Sequence, residues 1–208
     1  MAGLILKDFL NLKHYSKMFL FFLAFFTIGS YAMDMQNYFT SMTVFLFIML
    51  PITSFAYDQQ AKWELFAVAM PVTRNEIVLG KYVLAGILIV LGSAFSILLA
   101  IVIQLLKGRA VDVPEMLTST GTTAVLGAIF ISIMIPLIYR YGVEKTRMLL
   151  LIVAGVPVLL VILLSEMGGG VPEMAEIQAW LFLSPVAAAA ALAASYLISC
   201  KIFQRTDL

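Results

Sequence analysis

The chain has 208 residues, of which 62% are hydrophobic and 12% charged, against about half apolar and about a quarter charged in an ordinary soluble domain. A soluble globule of this size could not cover that much apolar surface, which excludes a soluble enzyme, a disordered chain and a nucleic-acid binder. The net charge of +1 says little as a total, and the single cysteine, Cys200, excludes an intrachain disulfide or a cysteine-cluster metal site.

Residues 1–17 read as an amphipathic elbow helix. Ile5, Phe9 and Leu12 share one side with Leu6 and Leu10 next to them, and Lys7, Asp8, Asn11 and His14 lie on the other. Such a pattern suits a helix lying in a membrane interface. A bilayer core of roughly 30 Å needs about 20 apolar residues in a helix. Six stretches free of Asp, Glu, Lys and Arg qualify: 18–33, 38–56, 82–106, 117–138, 148–164 and 179–199. The first and fifth are short and need interfacial residues to span fully. The first is not a cleavable signal peptide, because no small-x-small cleavage site follows it and five more spans come after it. The fold class is therefore an all-α polytopic membrane protein, with a six-span domain over 18–199 and a tail over 200–208.

The longest connection, 57–81, reads as two helical pieces. Asp58 can cap a helix over 59–70 that stops at Pro71, and Thr73-Arg74-Asn75-Glu76 is a capping box opening the next helix. The first piece carries Trp63, Leu65, Phe66 and Val68 and is too short to be stable without a surface to pack on. A second short loop, 139–147, follows the fourth span. The segment 165–178, with Gly168-Gly169-Gly170 and Pro172, reads as a flexible turn or a partly re-entrant hairpin.

Charge sorts by side. The N-terminal segment, the loops after the second and fourth spans, and the tail hold eleven basic and six acidic residues, a net of +5. The other side holds Lys107 and Arg109 with six acidic residues, a net of −4. Basic loops stay inside, so both termini are expected in the cytoplasm.

Catalytic motifs are missing. There is no H-E-x-x-H, G-x-S-x-G or Walker A pattern, and the lone His14 sits in the basic flank as a solvated or headgroup-facing residue. The spans hold no ionisable residue, which argues against an ion-coupled carrier. Their mild polarity, such as Thr40, Thr43, Ser96 and Ser132, reads as helix-packing glue. Pro51, Pro136, Pro157 and Pro185 can each kink a span.

The stretch Asp58-Gln-Gln-Ala-Lys62-Trp63-Glu64, followed by Met70-Pro71-Val72-Thr73-Arg74-Asn75-Glu76 and an apolar run to Gly80-Lys81-Tyr82, resembles the permease subunits of type 2 ATP-binding-cassette (ABC) exporters. The elbow, six spans and inward termini resemble that family's layout too. The size and sparse outer loops are most similar to its small peptide-exporter branch, such as the phenol-soluble modulin exporters. The resemblance implies a half-permease in a bacterial plasma membrane, moving an amphipathic or hydrophobic substrate outward. A second permease chain, identical or a sister, would complete the path. A separate cytoplasmic ABC ATPase would bind ATP and Mg, so this chain carries no cofactor and is no enzyme. The resemblance assigns coupling to the ATPase to Asp58, Lys62, Trp63, Glu64, Phe66, Arg74 and Glu76, with a secondary contact at Arg140, Glu144 and Lys145. It assigns no substrate-binding residue. The competing readings are a non-transporting scaffold or sensor subunit, which leaves the Pro-Val-Thr-Arg segment unexplained, and an ion-coupled secondary carrier, which would call for an internal repeat.

Overall fold

A computed structural model describes residues 2–13, 15–33, 35–68, 71–166 and 174–205. The side chains of residues 2, 36, 37, 64, 68, 150–166 and 174–183 lie outside that description, as do His14, Asp34, Met70 and residues 167–173. The described residues form helices and no strand: α1 (Ala2–Lys13), α2 (Ser16–Met33), α3 (Gln36–Gln60), α4 (Trp63–Val68), α5 (Arg74–Leu106), α6 (Val113–Glu166) and α7 (Met174–Arg205). Among the described residues, five stretches are long and apolar enough to cross a membrane: Ser16–Met33, Tyr38–Gln60, Arg74–Leu106, Val113–Leu149 and Ser184–Arg205. The expected span 148–164 coincides with the second part of α6, nearly all of whose side chains are outside the described residues.

The centre of the bundle is α3. Val44, Ile48, Ile52 and Phe55 recur at helical spacing and meet Ala85 of α5 and Ile131, Met134, Ile135 and Ile138 of α6. Helices in lipid gain little from apolar burial itself, so close packing has to hold them together. Here three glycines receive α3 side chains. A Cβ on Gly29 of α2 would lie 2.7 Å from the Phe39 ring, and one on Gly92 of α5 would lie 2.6 Å from Phe47 Cβ. Gly127 of α6 receives Ile48 in the same way. Buried hydroxyls add cross-links: Ser96 Oγ donates to the Thr40 carbonyl at 3.0 Å, and Ser195 Oγ donates to the Ser132 carbonyl. These fit the packing role expected of the spans' mild polarity.

Three segments differ from their sequence-based outline. Asp58 was expected to cap a helix beginning at residue 59, yet α3 runs unbroken through it to Gln60. The break falls at Ala61 and Lys62, where Lys62 takes a left-handed φ of 49°. The expected loop 139–147 is helical on both sides of Gly142, whose φ of 79° and ψ of 171° turn the chain within α6. At the far end α7 continues through Arg205, so the start of the expected tail is helix, with Cys200 and Phe203 buried. A second small core there joins them to Ala67 of α4 and Ile77 and Val78 of α5.

Candidate functional site

The end of the bundle that carries α1 and α4 brings together most of the candidate residues. It begins with a local device legible in four residues. Thr73 accepts from the Glu76 amide, and Glu76 Oε2 accepts from the Thr73 amide at 2.8 Å, the complete capping box. This fixes where α5 starts, and with it the direction of Arg74, Ile77, Val78 and Lys81.

Arg74, the first residue of α5, points to α7. Its guanidinium donates to the carbonyls of Phe203 at 3.0 Å and Gln204 at 2.9 Å. The last carbonyls of a helix lack partners within it and carry partial negative charge, so a cation there is favourable. Gln204 also donates to Asn75 at 2.9 Å, which makes the joint two-sided.

Four charged residues meet beneath α4. Lys81 of α5 is 5% exposed; its ammonium lies 2.9 Å from Asp8 Oδ1, 2.5 Å from Asp58 Oδ2 and 2.9 Å from Ser54 Oγ, and 4.8 Å from the Phe55 ring centre. Ser54 in turn donates to Asp8 Oδ1 at 3.0 Å. Lys7 of α1 completes the set, donating to Asp58 Oδ1 at 2.6 Å and pairing with Asp8 Oδ1 at 3.1 Å. Two cations and two carboxylates cancel. Buried charges persist only when paired and hydrogen-bonded in this way.

The cluster gives the polar side of α1 partners inside the bundle. The wheel arithmetic holds, since Lys7, Asp8 and Asn11 share a side, but that side faces the bundle. Asp8 is 2% exposed, whereas Leu6 and Leu10 point outward.

Above the cluster sits α4. Ala67 is buried and Trp63 partly so, while Leu65 and Phe66 are 51% and 61% exposed. Lys7 Nζ lies 4.2 Å from the Trp63 ring centre, tying α4 to α1 through a cation–π contact.

The residues assigned from the resemblance therefore divide. Lys62 and Phe66 are exposed and open to a partner. Asp58 and Arg74 are engaged inside the chain, Trp63 is partly buried under Lys7, Glu76 works as a cap, and the side chain of Glu64 lies outside the described residues. Arg140, Glu144 and Lys145 are exposed beside Gly142. The sequence reading placed Lys7 and Asp8 on the polar side of the elbow helix and Lys81 in the Gly80-Lys81-Tyr82 run, but joined neither them nor Ser54 into a cluster. The available signal was that Asp58 and Lys81 flank two successive spans, so antiparallel packing brings them to one level.

The break at Gly142 is joined to the same end. Gln59, one residue after Asp58, accepts from the Val143 amide at 3.0 Å, and Thr146 donates to the Gly142 carbonyl at 2.7 Å. A cavity of about 230 Å³ lies there between Phe55, Gln59 and Tyr139. No cluster of His, Cys, Asp and Glu suited to a metal ion occurs among the described residues. What this arrangement supplies is a short helix with an exposed apolar face, mounted on the ends of several long helices.

A family model described as ABC-2 family transporter protein matches residues 3–204. No curated protein matches the chain.

Proposed function

The chain belongs to the ABC-2 transporter family, multi-pass membrane permeases that work with a separate ABC ATPase, and from that premise we propose that it is one half of an exporter whose coupling helix is α4. The observation that carries this reading is the placement of α4. It is six residues long and could not stand alone. One face is seated on α5 and α7, yet Leu65 and Phe66 are presented outward at the bundle end where basic residues concentrate. An apolar pair on a preorganised helix, next to Lys62, is a fit for a groove on a cytoplasmic ATPase.

On this reading both termini are cytoplasmic, and α1 lies along the inner membrane surface with Leu6 and Leu10 in the lipid. The ATPase binds ATP and Mg, its closure displaces α4, and the long helices reorient around an apolar path. Arg140, Glu144 and Lys145 form a second contact. The outward apolar face of α2, with Phe21, Phe25 and Ile28, suits a second permease chain or lipid. The predominantly apolar bundle favours an amphipathic substrate, a peptide before others, moved outward.

Co-purification with the ABC ATPase tests the reading. Phe66→Asp should abolish recovery of the ATPase while leaving the permease folded, since Phe66 touches the solvent side. Undiminished recovery with both Leu65→Asp and Phe66→Asp would overturn it.

A further inference from the structure

Lys7 is placed against the ordinary behaviour of a lysine on an interfacial helix. Lys13, on the same helix, is exposed, as expected of a long cationic side chain reaching for water. Lys7 instead turns inward, with its side chain 22% exposed. There it meets three groups from three places: Asp8 on its own helix, Asp58 at the end of α3 and the Trp63 ring at the start of α4. The charge count shows what it adds. Lys81, Asp8 and Asp58 alone would leave one uncompensated negative charge in a buried site, and Lys7 supplies the balance.

Contacts of this kind differ mechanically from the apolar contacts elsewhere. Apolar surfaces can slide past one another at small cost. Buried opposite charges cannot separate without leaving a charge unpaired, so the elements that carry them keep their relative positions. Lys7 is the member that also touches α4. Lys81, over Phe55, is held within α1, α3 and α5.

We propose that the four-charge cluster is the joint through which a displacement of α4 reaches α1 and α5, and that Lys7 is the positioning residue that makes α4 part of it. The inference rests on the reading of α4 as the ATPase contact. It adds that α1 travels with α4 as one unit, rather than serving as a passive float on the membrane surface.

Four variants test it: Lys7→Met, Lys7→Arg, Trp63→Leu and the Lys7→Met/Trp63→Leu double. Two quantities are read. One is thermal unfolding of the permease alone, followed by the reactivity of the buried Cys200 thiol. The other is the ATP turnover of the permease–ATPase complex per bound ATPase, compared with the isolated ATPase. Lys7→Met should keep the ATPase bound, because Lys7 is away from the outward face of α4, yet lose most of the change in turnover that the permease imposes, at least three-fold. Lys7→Arg should restore it, since a guanidinium keeps both the ion pair and the ring contact. The double variant should be no worse than the poorer single in either measurement. A merely structural lysine would lower the unfolding midpoint and leave turnover per complex unchanged, which overturns the proposal. So would multiplicative losses in the double variant, or an arginine as poor as the methionine. If no ATPase co-purifies with the unmodified chain, docking at α4 fails; the Lys7–Trp63 link is then decided by the unfolding measurements, where additive losses refute it.

Discussion

Replacing Lys81 by methionine tests whether charge balance holds this end of the bundle together. The substitution keeps the length of the side chain and removes its charge. Asp8 and Asp58, with side chains 3% and 7% exposed, are left with Lys7 as their shared cation in the cluster. At an effective dielectric of about 20, each Lys81 pair at 2.5–2.9 Å is worth roughly 6 kcal/mol of raw Coulomb attraction. Recovering the hydration of the ammonium offsets several kcal/mol of that sum, and the measured cost of removing one partner from a buried pair is about 3–5 kcal/mol. For a chain of this size, each kcal/mol shifts the unfolding midpoint by about 2–4 °C, so a fall on the order of 10 °C is expected. The single cysteine gives the assay. Cys200 is 8% exposed and packs with Ile77, Val78 and Phe203 beside the cluster, so a thiol-reactive fluorophore reports when this end opens. The repair is as diagnostic as the damage. Lys81→Met with Asp8→Asn leaves Lys7 facing Asp58, a neutral pair, and should recover at least half of the lost midpoint. A Lys81→Met midpoint within about 2 °C of the unmodified chain, or a double variant lower than the single, would refute the charge-balance argument.

Three further outcomes follow from the geometry. Gly142→Ala should destabilise by about 1–3 kcal/mol, because its φ of 79° suits glycine and the new Cβ would lie 2.8 Å from Gln59 Nε2; a midpoint equal to that of the unmodified chain would show that the break relaxes freely. Arg74→Ala should leave the start of α5 intact but raise amide exchange over residues 201–205 of α7, at a cost of about 1.5–3 kcal/mol for the lost charged hydrogen bonds; unchanged protection there would mean that the end of α7 does not depend on its cap. Thr73→Ala should cost about 0.5–2 kcal/mol and loosen the first turn of α5, seen as faster exchange at the Glu76 amide, and unaltered exchange would discount the capping box.

Two kinds of local determinant were read correctly, although the local cap expected at Asp58 was not, since α3 runs through it. The capping box at Thr73 and Glu76 was legible because its partners are three residues apart and its chemistry needs nothing else. Five of the six expected membrane-crossing stretches were legible because bilayer thickness imposes length and composition on each helix separately. The cluster was not legible, for the opposite reason. Read along the chain, Lys7, Asp58 and Lys81 look like ordinary charges flanking apolar stretches, useful for orientation. Only the packing of α1 across α3 and α5 removes them from water, and pairing then decides their role. The contacts of Arg74 were hidden in the same way, since the carbonyls that hold it lie at the far end of the chain. At Gly142, one glycine in a polar stretch looked like a loop, whereas a side chain from α3 satisfies the freed amide and lets helix continue on both sides.

The separations within the cluster also have a temporal meaning. Asp8 lies 46 residues before Ser54 and 73 before Lys81, and Lys7 lies 51 before Asp58. At a synthesis rate of about 5–20 residues per second, roughly 4–15 s separate the making of Asp8 from that of Lys81. For that interval the first helix of the nascent chain carries an acid and a base whose buried partners are not yet all made. It can be drawn into the bundle only once two more long helices have been inserted. The arrival of residue 81 therefore completes the set of four charges, and the N-terminal helix is the first made and the last to have all its buried partners.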